Sequence, residues 1–270
     1  MTASKWEGMA RENAIIVAPY GSKLYGLNME GTSDDDQMGV CVESLPASCG
    51  FSEFEQFELR TGHKLERTGP GDKELKIYGL KKFLRLALDG NPDVLPLLFV
   101  KDEACSVLTG VGKGLKALAP LIVSKQAGPR FLGYMESQRR RLLGEQGQKR
   151  SNRPELESAF GYDTKYAYHI LRLGIQGKEL MDTGEMTLPM PEADRKLIME
   201  VREGKCDIDC FLNRAGEVKR ALQDAMDSSY LPEHPNRELV EEWMLDTYYD
   251  TWRQCECSGY NYGKTHHTTS

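Results

Sequence analysis

Apolar positions fall in two regimes along the chain. Over the first hundred residues they come in short runs, and beyond that they recur at three- and four-residue spacing. Residues 14–18 (AIIVA) read as a buried strand that Pro19-Tyr20-Gly21 ends, with room for a helical turn or two over 22–27. Residues 37–42 (QMGVCV) read as a second strand. A polar stretch carrying Phe51, Phe54 and Phe57 reads as a flap or hairpin that packs those rings. After the GPGD turn at 69–72, residues 74–78 (ELKIY) alternate as a third strand. Leu80, Phe83, Leu84, Ala87 and Leu88 then form one helical stripe that Gly90 stops; Asn91 can cap a following helix, with Pro92 in its first turn.

Everything past Leu108 reads as helical, with segments expected at 163–176, 191–203, 208–228 and 236–253. The pattern predicts an α+β chain. A small mixed β-sheet domain occupies 1–108, a helical C-terminal domain 109–255, and a polar tail 256–270.

Composition changes this picture little, and charge changes it locally. With 40% hydrophobic and 28% charged residues the chain has the balance of a folded globular protein. A net charge of -6 argues against general polyanion binding. Between Lys125 and Arg153, however, eight Lys and Arg stand against only Glu136 and Glu145, and Arg139, Arg140 and Arg141 are adjacent. That strip is a candidate nucleic-acid track, and a solvated helix and loop is the plainer reading. The seven cysteines read as reduced thiols and, with no apolar leader or spanning run, suggest a cytoplasmic protein. No His-rich partner accompanies the cysteine pairs, which argues against zinc.

Candidate chemistry concentrates in PYGSKLYGLNMEGTSDDDQMGV, residues 19–40. Adjacent like charges repel, so three consecutive aspartates suggest either a solvated turn or a waiting cation. In an extended strand Asp34 and Asp36 share a face, about 7 Å apart, and can hold hard divalent ions through oxygen, while Asp35 points away. Gly21-Ser22 stands just before a helix start, where backbone N–H groups favour phosphate. The third strand offers Glu74, with Asp72 as its rival, for a further carboxylate. Lys165, His169 and Arg172 recur at i, i+4 and i+7 on one helical face and can neutralise a triphosphate, or merely solvate and pack that helix. His169 is also a candidate proton donor to a leaving group.

Gly-Ser, eleven residues, then Asp-x-Asp resembles the signature of the DNA polymerase β nucleotidyltransferase superfamily. Two later blocks, IYGLKKFLRLALDGNPDVLPLLF and GYDTKYAYHILRLGIQGKELMDTGEMTLPMP, extend the resemblance to the RlaP/YcgL-like nucleotidyltransferases over residues 19 to about 191. The resemblance implies a polymerase β-like fold and a Mg²⁺-dependent enzyme, with Mn²⁺ as an alternative ion. Such an enzyme moves an NMP from an NTP to a hydroxyl and releases pyrophosphate. It implies Gly21 and Ser22 as the phosphate turn, and Asp34 and Asp36 as catalytic metal ligands. Glu74 stands where the superfamily usually has aspartate. Asp163, Lys165, His169 and Arg172 fall in the family's GYD-K-H-R stretch. The implied acceptor is an RNA or tRNA 3′ end. A protein hydroxyl (AMPylation), a small molecule, or a binding module that has lost turnover are the alternatives.

Overall fold

The computed structural model describes residues 3–29, 35–61, 73–145 and 153–257. Helix α1 (Ala3–Glu12) leads into β1 (Ala14–Pro19), the short α2 (Gly21–Tyr25) and β2 (Asp35–Cys41). Next come α3 (Leu45–Cys49), β3 (Gln56–Arg60), β4 (Lys73–Gly79) and α4 (Leu80–Leu88). A 3-10 turn over Leu95–Phe99 occupies the place where a helix after Pro92 is expected, and a second short one spans Asp102–Ala104. Strand β5 (Val107–Leu108) completes the sheet, and only helices follow: α5 (Gly110–Ala117), α6 (Ala119–Ile122), α7 (Ala127–Leu143), α8 (Pro154–Phe160), α9 (Thr164–Thr183), α10 (Glu192–Arg202), α11 (Ile208–Ser228) and α12 (Arg237–Cys257).

The five strands lie in the order β3-β4-β2-β1-β5. Only the β2–β4 pair is parallel, so the sheet is mixed and the fold is α+β as the residue pattern predicts. The apolar stripe of α4 is buried at every position from Leu80 to Leu88 that the spacing selected. Strands β3 and β5 and helix α1 are not among the expected elements. Strand β3 carries Phe57, and Phe54 and Phe57 are buried in a small second core, with the Trp6 ring of α1 tilted against Phe54 at 5.8 Å. Phe51 is fully exposed, so the three rings do not pack as one group.

A single apolar core runs from Ile15 on β1 to Tyr248 on α12, across the sheet and the helices alike. Helix α9 is its axis. Twelve of its twenty residues are buried, and it packs against α7, α10 and α11. Asp163 caps α9 by accepting from the backbone N–H groups of Lys165 and Tyr166, and the pair with Arg153 at 3.4 Å offsets its burial.

Cys206 and Cys210 are joined in a disulfide, with Cα atoms 5.7 Å apart, which corrects the reading of seven reduced thiols. They stand about one turn apart at the start of α11, so their sulfurs meet. No helix of the described residues is long and apolar enough to cross a membrane.

Candidate functional site

The turn after β1 sits directly on β2. Tyr20 donates its backbone N–H to the carbonyl of Asp36 at 2.8 Å, which lays Gly21 over that residue. Gly21 has a φ of +64°, and a Cβ there would stand 2.9 Å from Asp36 Oδ2. Glycine is therefore required twice, for the left-handed backbone and for the close carboxylate. The space a side chain would fill is left beside an acidic oxygen, a cradle that suits a hard cation.

Across the sheet Asp36 pairs in register with Glu74 of β4, and Glu74 pairs with Arg60 of β3. Registered neighbours project to one face, so Arg60, Glu74 and Asp36 form a row that leads to Gly21. Glu74 is partly spoken for, because Arg60 Nη2 donates to its Oε1 at 2.9 Å. Asp34 and Asp72, the other carboxylates expected here, lie outside the described residues. Among the described residues no group of three or more metal-binding side chains gathers at one point.

Beside Gly21, on the side toward the helices, lies a cavity of about 170 Å³ walled by Tyr20, Gly21, Tyr25, His169 and Arg172 among others. Of the three basic residues on the face of α9, His169 and Arg172 reach this cavity and Lys165 does not. Ser22 does not line it either.

Arg172 is 6% exposed and lies 4.4 Å over the ring of Tyr25. Its Nη1 donates to Gln176 Oε1 at 2.7 Å, its Nε has no hydrogen-bond partner, and no carboxylate among the described residues pairs with it. A guanidinium keeps its charge when buried, and here the Asp93 carboxylate on the same cavity wall offsets it through space without an ion pair.

The His169 ring lies tilted against that of Tyr168, with centroids 4.1 Å apart. Burial, then the charges of Arg172, Lys165, Arg153 and Arg202, hold its imidazole well below its ordinary value of 6.5. It is held neutral at neutral pH and can present a ring N–H to the cavity it lines. The phenols share the same setting. Burial pushes Tyr25 up to about 12 and raises Tyr20 and Tyr168.

The blocks of sequence that carry the family likeness meet here. Met190 donates its backbone N–H to Tyr25 O at 3.2 Å, and Arg202 donates to Leu27 O while lying over Tyr168. The helical region thus holds the turn from above while β2 holds it from below.

The basic strip divides. Arg139 is paired with Glu136 and Glu145, and successive residues on a helix point about 100° apart, so the three arginines share no face. Arg141 lines a cavity alongside Arg130, which stands eleven residues, or three turns, earlier on α7. Asp93, Tyr134 and Gln138 also wall the site, and Tyr134 and Gln138 fall in none of the blocks that carry the resemblance. The spacing of residues 130, 134, 138 and 141 along α7 is the one signal that could have found two of them.

Against solved structures, the chain is similar to a nucleotidyltransferase-like protein from Exiguobacterium sibiricum, at 12% identity over 92% of this chain and 79% of that one, with a TM-score of 0.29. No curated protein matches it. Residues 9–245 match the family described as the RNA repair pathway DNA polymerase beta family, RlaP, and the chain belongs to that family.

Proposed function

We propose that this protein transfers a nucleotidyl group from an NTP to a hydroxyl acceptor and releases pyrophosphate, with an RNA or tRNA 3′ end as acceptor. The observation that carries the reading is Arg172, a buried guanidinium with no carboxylate in direct contact among the described residues, which walls a cavity beside the Gly21 turn. A buried charge costs several kcal/mol unless something compensates it, and a phosphate chain is the anion that family membership supplies.

In this reading the acceptor oxygen attacks the α-phosphorus in line. The bond from that phosphorus to the bridging oxygen breaks, and pyrophosphate leaves with the negative charge that Arg172 offsets. Neutral His169 donates a hydrogen bond to the same oxygens. The acceptor's proton passes to solvent. Asp36, with Asp34 two residues before it and Glu74 in register beside it, has the hard oxygen donors that magnesium takes. When bound, that ion neutralises phosphate charge and lowers the acceptor hydroxyl's pKa. The acceptor assignment follows the family's RNA repair description, and the Arg130–Arg141 face of α7 supports it as a path for a polyanion.

The test incubates the protein with each labelled NTP, Mg²⁺ and total RNA and follows label into macromolecule. Transfer that disappears in Asp36→Ala and in Arg172→Met is the expected result. Full turnover by Asp36→Ala ends the proposal. One feature favours a second reading, a nucleotide-binding module without turnover: the pairing of Glu74 with Arg60. Binding of a nonhydrolysable NTP with no pyrophosphate release against any acceptor would select it.

A further inference from the structure

The cavity at Gly21 does not end at α9. A larger one of about 590 Å³ adjoins it, and both are walled by Asp93, Tyr134 and Gln138. The small cavity alone is below the size of ordinary ligand pockets, and the larger one is within it. Three side chains therefore stand at the passage between a phosphate-sized space and a nucleoside-sized one.

The Tyr134 hydroxyl bonds the Asn91 side chain, and the other two polar groups are uncommitted. Gln138 Oε1 is shielded from water and accepts no hydrogen bond, and its amide nitrogen donates none among the described residues. Buried amide oxygens are almost always bonded, and the terminal torsion of glutamine is soft enough to turn that group into the cavity. Asp93 uses its backbone N–H to bond Asn91 Oδ1 at 2.8 Å, and its half-buried carboxylate forms no ion pair among the described residues. Tyr134 presents a half-buried ring on the same helical face as Gln138, one turn earlier.

Position orders the ligand in this space. Arg172 and Gly21 wall the small cavity and not the large one, so the phosphates belong there and the other end of the nucleotide runs past Asp93 to Tyr134 and Gln138. Two acceptors, the Asp93 carboxylate and Gln138 Oε1, then meet whatever edge the base presents. They disfavour the carbonyl oxygens of guanine and uracil and favour an exocyclic amine. A glutamine amide matches adenine in particular, accepting from N6–H and donating to N7, and an aromatic face can stack on a base of any kind.

We propose that Tyr134, Gln138 and Asp93 form a nucleobase subsite that selects adenine, with Gln138 reading the base and Asp93 accepting from the exocyclic amine or the ribose. This inference rests on the reading of the Gly21–Arg172 cavity as a nucleotide phosphate site.

Calorimetric titration of the full chain with Mg²⁺ and the four α,β-methylene NTP analogues tests it. The ATP analogue is expected to bind about tenfold tighter than those of GTP and UTP, since one bidentate base contact is worth about that factor. In Gln138→Ala and in Gln138→Met the preference should collapse to within about twofold, with the GTP and UTP analogues little changed. Because the readout is a ratio measured on one variant, partial loss of folded protein does not move it. Equal binding of all four by the unaltered chain overturns the adenine subsite and leaves the phosphate reading standing. So does a preference that survives both Gln138 variants, and so does a preference for the CTP analogue. Failure of all four to bind overturns both.

Discussion

Two buried ionisable groups flank the sheet, and the protein treats them in opposite ways. Glu43, just past the end of β2, is 2% exposed, yet its carboxylate accepts from the backbone N–H of Leu80 at 3.0 Å and from the Tyr248 hydroxyl at 2.7 Å. The Tyr248 oxygen in turn accepts from Lys81 N–H, and Trp252 donates to the Glu43 carbonyl. Gly79 makes room, since a Cβ there would collide with Glu43 Oε1. These contacts fasten α12 to the sheet, and every one of them comes from the chain itself. Arg172 is nearly as buried and receives from the chain only Gln176 and a tyrosine face. A buried group completed by its own protein is a strut; one left incomplete beside a cavity is waiting for a ligand.

The largest effects should separate the two. Arg172→Met removes a buried charge that no carboxylate of the described residues pairs directly, Asp93 acting on it only through space, so thermal stability should change little, while NTP affinity falls at least about a hundredfold. Glu43→Ala should do the reverse: about 3 kcal/mol of stability lost by denaturant unfolding, because two buried donors lose their acceptor, with NTP affinity nearly intact. If Arg172→Met melts the protein as Glu43→Ala does, the distinction between strut and site fails.

Gly21→Ala comes next. The added methyl meets Asp36 Oδ2 at 2.9 Å on a left-handed backbone, so nucleotidyl transfer should drop by at least about tenfold while the fold survives with a loss of ~1–2 kcal/mol. Tyr248→Phe sharpens the strut side. It removes one hydroxyl from the Glu43 cluster and should cost about 1 kcal/mol, with no change in transfer rate.

The smallest effect concerns pH. His169 titrates below its unfolded value, so in acid the unfolded chain binds the extra proton. Its contribution to stability is whole above about pH 6.5 and is lost as pH falls below that. His169→Gln should flatten that part of the stability profile. Nucleotide binding should oppose the shift, since phosphate beside the imidazole favours its charged form. Proton uptake on binding near pH 6, read by calorimetry in buffers of different ionisation heat, is the expected sign, and its loss in His169→Gln assigns it.

The residue pattern carried much of this unaided. The spacing of Leu80, Phe83, Leu84, Ala87 and Leu88 marks α4 to the residue, and the span 208–228 coincides with α11, because a helix that buries one stripe writes its period into the chain. Gly21 and Asp36 were legible because a tight turn and a carboxylate pair need particular residue types at particular places. Strand β3 was not legible: QFELR owes its place to pairing with β4 and to the Phe54–Trp6 contact, both distant in sequence.

What tertiary structure alone decided is which charges are available. Lys165, His169 and Arg172 look alike on a helical face, and only the packing of α9 at the centre of the helices makes one of them a buried cation with no direct carboxylate partner and another neutral. Glu74 and Arg60 are fourteen residues apart, and only the sheet register makes them an ion pair. Burial and partnership are properties of neighbours brought together by the fold. The sequence by itself therefore determined where chemistry could occur, and the packing decided which groups were left open to perform it.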